Sequence, residues 1–156
     1  MIGDASRLVV ALAALIGAVP MVVLGAYLAI AGPMLLIRGF PLAQGLFAIG
    51  YAAHVNLGWV VSAYVLLRWK RLRPERRSLL LMLAGFSYVA WGVAFGRNPW
   101  IAVMAPSGGV VMAVVGAREH WDVRMGLVAA AGGLLPPPVI LHVLMPLLGR
   151  MLGQGG

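Results

Sequence analysis

Long uncharged, apolar runs alternate with short charged stretches along this chain. Asp4 and Arg7 precede a run from Leu8 to Ile37, and Arg38 precedes a second from Gly39 to Leu67. After the stretch Arg68–Arg77, further runs extend from Ser78 to Gly96, from Pro99 to Ala117 and from Met125 to Gly149. No Asp, Glu, Lys or Arg falls inside any of them. A bilayer's hydrocarbon core takes about 20 residues of helix, so the first, second and fifth runs span with tilt or extra turns, and the third and fourth just suffice. A membrane barrel would instead show segments of about 10 residues alternating in polarity, and no such alternation is present. The pattern therefore predicts an all-α integral membrane protein. It is read as a single transmembrane domain over residues 1–156, a compact bundle of five transmembrane helices at about 8–32, 41–67, 78–96, 99–117 and 125–149. The first run exceeds the 7 to 15 apolar residues, roughly, of a signal peptide and is read as a retained span.

The fifth run carries its own interruption. Gly132, Gly133, Leu134 and Leu135 lead into Pro136, Pro137 and Pro138. Three prolines remove three backbone donors and disfavour helix in the residues before them, so the fifth helix is expected to be kinked or broken at Pro136–Pro138. Carbonyls freed at that depth persist only where protein, water or an ion meets them. Broken helices of this kind build substrate and ion sites in transporters. A second weak point, Pro106, Ser107, Gly108 and Gly109, lies in mid-span four, where Ser107 can satisfy a freed carbonyl. If spans four and five are neighbours, the two weak points meet near the midplane. Each half of the fifth run is about 11 residues, so a re-entrant hairpin is the alternative to a full crossing.

Charge sets the orientation. The stretch Arg68–Arg77 holds six of the twelve basic residues, and short basic loops stay cytoplasmic. Alternate threading then places nine basic residues inside and three outside, Arg38, Arg97 and Arg150. The expectation is a multi-pass protein of the cytoplasmic (inner) membrane with a cytoplasmic N-terminus and an external C-terminus; a re-entrant fifth segment would make the count ten against two. Trp69, Trp100 and Trp121 fall at span ends, where an aromatic belt belongs.

Composition narrows the chemistry. Of 156 residues, 62% are hydrophobic and 10% charged, which leaves too little polar surface for a soluble domain. The net charge of +8 lies beside the spans, so Arg68–Arg77 is expected to contact anionic lipid headgroups and not nucleic acid. With no cysteine, thiolate metal sites and cysteine nucleophiles are excluded. No carboxylate lies within a span, and the four acidic residues form no spaced pair, so the chain reads as non-enzymatic. Glu119, His120 and Asp122 cluster after span four and are read as a solvated loop.

Polar groups inside a bilayer are functional candidates by default. On the second span Gln44, Tyr51, Gly58 and Ser62 share one helical face, while His54 and Asn56 point some 200° apart. His54 and His142 are the possible ligands of a b-type haem. His54 lies at mid-run, however, and His142 is about five residues past the centre of its run, roughly 7 Å higher. No cofactor is therefore expected, haem b being the alternative. Small residues four apart (Ala14 and Ala18, Gly25 and Ala29, Ala48 and Ala52, Gly92 and Gly96, Ala129 and Gly133) predict close helix packing, with Gly92 and Gly96 the candidate face for oligomerisation.

Three functions fit these features. The first is a small-solute or ion transporter or channel protomer, working as a homo-oligomer. Its path would be lined by Gln44, Tyr51, Ser62, Ser107, Pro136, Pro137 and Pro138. The second is a non-catalytic subunit of a larger respiratory or photosynthetic membrane complex. The third is a b-type haem electron carrier using His54 and His142.

Overall fold

In a computed structural model, the description covers residues 2–39, 42–95, 97–135 and 146–147, the side chains of 2, 3, 42–44 and 46–48 excepted. Within them the chain folds as helices α1 (Ile2–Ile37), α2 (Leu42–Arg68), α3 (Pro74–Ala94), α4 (Pro99–Glu119) and α5 (Val123–Leu134). Four helical stretches are long and apolar enough to cross a membrane: Asp4–Ile37, Ile49–Arg68, Pro74–Ala94 and Pro99–Glu119. Helix α5 has 12 residues, roughly 18 Å, and is too short to cross alone. The expected break at Pro136–Pro138 and the position of His142 lie outside the described residues.

Local chemistry sets the helix ends. Helix α1 stops where Gly39 takes a φ of 76°, the left-handed conformation that glycine adopts without Cβ strain. Pro74 opens α3 in the first turn, where its missing N–H costs nothing. The side chain of Asn98 accepts from the backbone N–H groups of Trp100 and Ile101, and that of Asp122 from those of Arg124 and Met125, so both cap the helices they precede.

The four long helices form a closed ring of neighbours, α1 against α2, α2 against α3, α3 against α4 and α4 against α1, with α5 packed on α3. Glycines set the approach distances. Gly108 meets α1 at Gly17, and Gly109 meets α3 at Gly85 and Tyr88. The Tyr88 ring fills the centre, fully buried, with Gly17 of α1 on one side and Gly58 of α2 on the other; a Cβ at either glycine would stand 2.8 Å from that ring. Gly25, Ala52, Ala129 and Gly133 are all buried, so these members of the small-residue pairs serve intramolecular packing.

Three expectations are corrected by this arrangement. Gly92, read as an oligomer face, is closed against the ring of Pro106 within the chain. Helix α4 runs unbroken through Pro106–Gly109; the Ser107 hydroxyl donates to the Val103 carbonyl at 2.6 Å, not to the Ala102 carbonyl whose donor Pro106 removes. Of the two weak points expected to meet, Pro136–Pro138 lie outside the described residues; Ser107 is exposed on α4, which packs on α3 and α1, and α5 packs on α3. Trp69 belongs to the packed interior and not to an aromatic belt; it is 4% exposed, whereas Trp100 and Trp121 are 73% and 63% exposed.

Trp69 is buried because Arg77 covers it. The Arg77 guanidinium lies 4.5 Å from the centre of the indole ring and donates to the Trp69 carbonyl at 2.9 Å. The same guanidinium pairs with Glu119, its Nε 2.7 Å from Oε2. Ser78 donates to the His120 carbonyl at 2.6 Å. The α2–α3 and α4–α5 connections are thus fastened together at one end of the bundle. Glu119 and His120 each have a separate task in that fastening, an ion pair and a carbonyl acceptor, while Asp122 caps α5.

Candidate functional site

The second helix presents Tyr51, His54 and Gly58 at spacings of three and four, one face that turns toward α3. Ser87 and Trp91 of α3 and Phe95, which caps it, recur every four residues. Trp91 stacks on Phe95 with ring centres 5.4 Å apart and meets the edge of Tyr51 at 5.4 Å. From the far side comes α5. Gly133 has no side chain, and a Cβ there would lie 2.6 Å from Phe86 Cβ and 2.9 Å from the Ser87 nitrogen. Only glycine lets the two backbones come this close.

His54 sits where the three helices meet. The Trp91 indole Nε1 lies 2.7 Å from His54 Nδ1, and His54 Nε2 lies 3.5 Å from the Gly132 carbonyl oxygen, the outer limit of a hydrogen bond. An indole can only donate, so Nδ1 is the acceptor and the imidazole proton resides on Nε2, from which it is offered to Gly132. One side chain of α2 therefore joins α3 to α5.

The acceptor is a distinctive one. In a continuous helix the Gly132 carbonyl would take the N–H of residue 136, and residue 136 is proline, which has none. Pro137 and Pro138 withhold the corresponding donors from Gly133 and Leu134. His54 thus serves the first of three carbonyls that the proline run leaves without an intrahelical donor. Around this junction and the neighbouring ring centre, the hydroxyls of Tyr51, Ser87 and Tyr88 are buried with no hydrogen-bond partner among the described residues. Each such group costs about 1–3 kcal/mol unless something meets it, and water is the ordinary solution where there is room.

The residues named from sequence are distributed as follows. Tyr51 and His54 are at this junction. Ser62 is buried at the ring centre, where it donates to the Gly58 carbonyl at 2.7 Å and to Met112 Sδ at 3.3 Å. Ser107 lies apart, exposed on α4. Gln44 is in the first turn of α2, with its side chain outside the description, and Pro136, Pro137, Pro138 and His142 lie outside the described residues. Asn56 turns to α1, against Gly25, and accepts from the Trp59 indole at 2.6 Å, apart from His54 as its helical phase requires. For haem, both ring nitrogens of His54 are already engaged, so axial ligation would first displace either the Trp91 or the Gly132 contact.

Two contributors escaped the sequence reading. Trp91 carried no mark in a uniformly apolar span. The pairing of Gly132 with the N–H missing at residue 136 was available by counting four residues back from the first proline.

The architecture is that of a helical membrane bundle: four spans in a ring, a short fifth helix docked by glycines, and a histidine between three helices. No protein-family model, curated protein or solved structure matches this chain.

Proposed function

We propose that this chain is a protomer of a small-solute or ion transporter or channel, with its path at the α2–α3–α5 junction. The observation that carries the reading is the His54 bridge from Trp91 to the Gly132 carbonyl. An ionisable side chain is placed inside the bilayer to serve a carbonyl freed by proline, beside buried hydroxyls that have no partner among the described residues. Intramembrane ionisable groups and donor-poor helix segments both mark solute and ion pathways.

The test is flux through proteoliposomes. Vesicles with an internal pH dye and a potassium gradient clamped by valinomycin should acidify faster with protein than without, and small neutral solutes should be tried by swelling in the same preparation. His54→Ala should change the rate. Flux of protons, alkali cations and small neutral solutes that never exceeds empty vesicles would overturn the transport reading.

A second reading, a non-catalytic subunit of a larger membrane complex, is favoured by one specific observation. Tyr88 fills the middle of the four-helix ring, which closes the centre among the described residues of a single chain. Native mass spectrometry of gently purified material separates a homo-oligomer from a stoichiometric complex with other chains.

The proposal includes the orientation: Arg68–Arg77 on the cytoplasmic side against anionic headgroups, N-terminus inside, C-terminus outside. The Arg77–Glu119 and Ser78–His120 contacts support it, because they hold two basic connections at the same end of the bundle. The natural chain has no cysteine, so a single reporter is simple to introduce. Arg71 is exposed and suits the purpose, whereas Trp69 is buried. An Arg71→Cys variant in intact cells is expected to resist membrane-impermeant maleimide and to react after permeabilisation. Ready labelling in intact cells would invert the topology.

A further inference from the structure

At the end of the bundle opposite the Arg77–Glu119 pair, the α3–α4 turn carries Arg97 and Asn98. Arg97 is exposed and has no ion pair among the described residues. Asn98 uses its Oδ1 to cap α4, and its amide NH2 has no partner among the described residues. Two grooves meet at Asn98. One, of about 400 Å³, is lined by Val93, Phe95 and Arg97. The other, of about 520 Å³, runs between α1 and α4 past Val19, Val23, Tyr27, Trp100, Ile101 and Met104.

Polarity is graded along this second groove. Val19, Val23 and Tyr27 recur every four residues and form one stripe of α1, roughly 12 Å long. Asn98 and Trp100 begin α4 and stand at the rim, while Met104 is one turn deeper. A cation and a free amide therefore lie above a rim holding Trp100, and below it the walls are apolar apart from the Tyr27 hydroxyl. This order matches an amphiphile with a negative headgroup and an alkyl tail. A partner helix would match the apolar walls but leave Arg97 without a counter-charge.

We propose that this site binds one phospholipid, with its phosphodiester on Arg97 and the Asn98 amide and one acyl chain in the groove between α1 and α4. Guanidinium offers paired donors to phosphate oxygens. No described carboxylate forms an ion pair with Arg97 or stands in the groove lining, so no anion there offsets the charge of a choline group, which would lie beside the Arg97 cation. Phosphatidylglycerol is expected to outcompete phosphatidylcholine. The site is distinct from the basic connection Arg68–Arg77 at the other end.

Native mass spectrometry of the delipidated full chain, titrated with phosphatidylglycerol in dodecyl maltoside, tests this. One lipid should bind more tightly than the rest. Arg97→Gln should weaken that binding roughly tenfold or more, the scale of a lost charge-assisted hydrogen bond. Met104→Trp, which fills the groove floor and leaves Arg97 in place, should weaken it as well. An Arg71→Gln, Arg76→Gln double variant at the opposite end should leave it intact. Equal affinity in wild type and Arg97→Gln would overturn the proposal, as would equal retention of phosphatidylcholine and phosphatidylglycerol. A dimer that Met104→Trp dissolves while lipid binding stays unchanged would assign the groove to a second copy instead.

Discussion

Gly109→Ala is expected to lower the melting temperature of the detergent-solubilised protein sharply, while the same substitution at Gly50 is expected to raise it slightly. Two effects oppose each other at both positions. Alanine is favoured over glycine inside a helix by about 1 kcal/mol. Against that, a new methyl in a filled interface costs about 1–3 kcal/mol, occasionally more. At Gly50 no described atom outside the adjoining helix backbone lies within 4 Å of the added Cβ, so the helical preference decides the sign. At Gly109 the Cβ would stand 2.5 Å from the Gly85 carbonyl oxygen and 2.9 Å from Tyr88 Cβ. Neither atom is the far end of a flexible side chain, so relief requires α3 and α4 to move apart. Such movement would also unseat Tyr88 from between Gly17 and Gly58, which places the cost at the upper end of the range. Thermal unfolding followed by circular dichroism checks both signs, and an unchanged or higher midpoint for Gly109→Ala would refute the close helix approach.

The second large effect concerns His54. His54→Ala removes the acceptor of the Trp91 indole and the donor to the Gly132 carbonyl together. The buried Trp91 indole left without its acceptor costs about 1–3 kcal/mol, and the half-buried Gly132 carbonyl loses a weaker contact besides, so the loss is a large part of a typical folding free energy. Trp91→Phe should cost less at this point, because it takes away one donor and leaves the His54–Gly132 contact. The partner substitution that gives the sharpest test is Pro136→Ala, which restores an N–H four residues after Gly132. With that donor available, the Gly132 carbonyl no longer depends on His54, and His54→Ala should cost roughly 1 kcal/mol less in the Pro136→Ala background than in the natural chain. A double-mutant cycle in detergent measures this coupling. Strict additivity would show that the proline run does not determine what His54 does, and would remove the main support for a functional junction at α5. In flux assays Pro136→Ala should then act in the same direction as His54→Ala, since both loosen the tie between α2 and α5.

Much of the architecture was legible before any coordinates. Uninterrupted apolar runs of bilayer length, bounded by Arg38, Arg68–Arg77, Arg97 and Arg118, marked where helices lie, because a charge in hydrocarbon is too costly to be placed casually. The expected helical membrane bundle is present in four spans and a shorter fifth helix. Small residues spaced four apart marked packing, and most of them do pack. His54 and Tyr51 were picked out on polarity alone, and both are at the candidate junction.

Which faces meet was not legible, and the reason is physical. A helix in water declares its buried side by an apolar stripe, but a helix in lipid is apolar all round, so polarity carries no direction. Ser107 and Ser62 look equivalent in sequence, yet one is exposed on α4 and the other lies at the ring centre. Gly92 offers itself equally to another chain or to Pro106, and only shape complementarity selected Pro106. Trp69 looks like a belt residue until Arg77 and Glu119 arrive from eight and fifty residues away to cover it. The sequence by itself determined the membrane character, the positions of four span-length helices and the donors that Pro136–Pro138 withhold from α5. The tertiary structure alone decided that His54 supplies the first of them and that Tyr88 closes the ring, because both depend on close approaches between surfaces that hydrophobicity cannot tell apart.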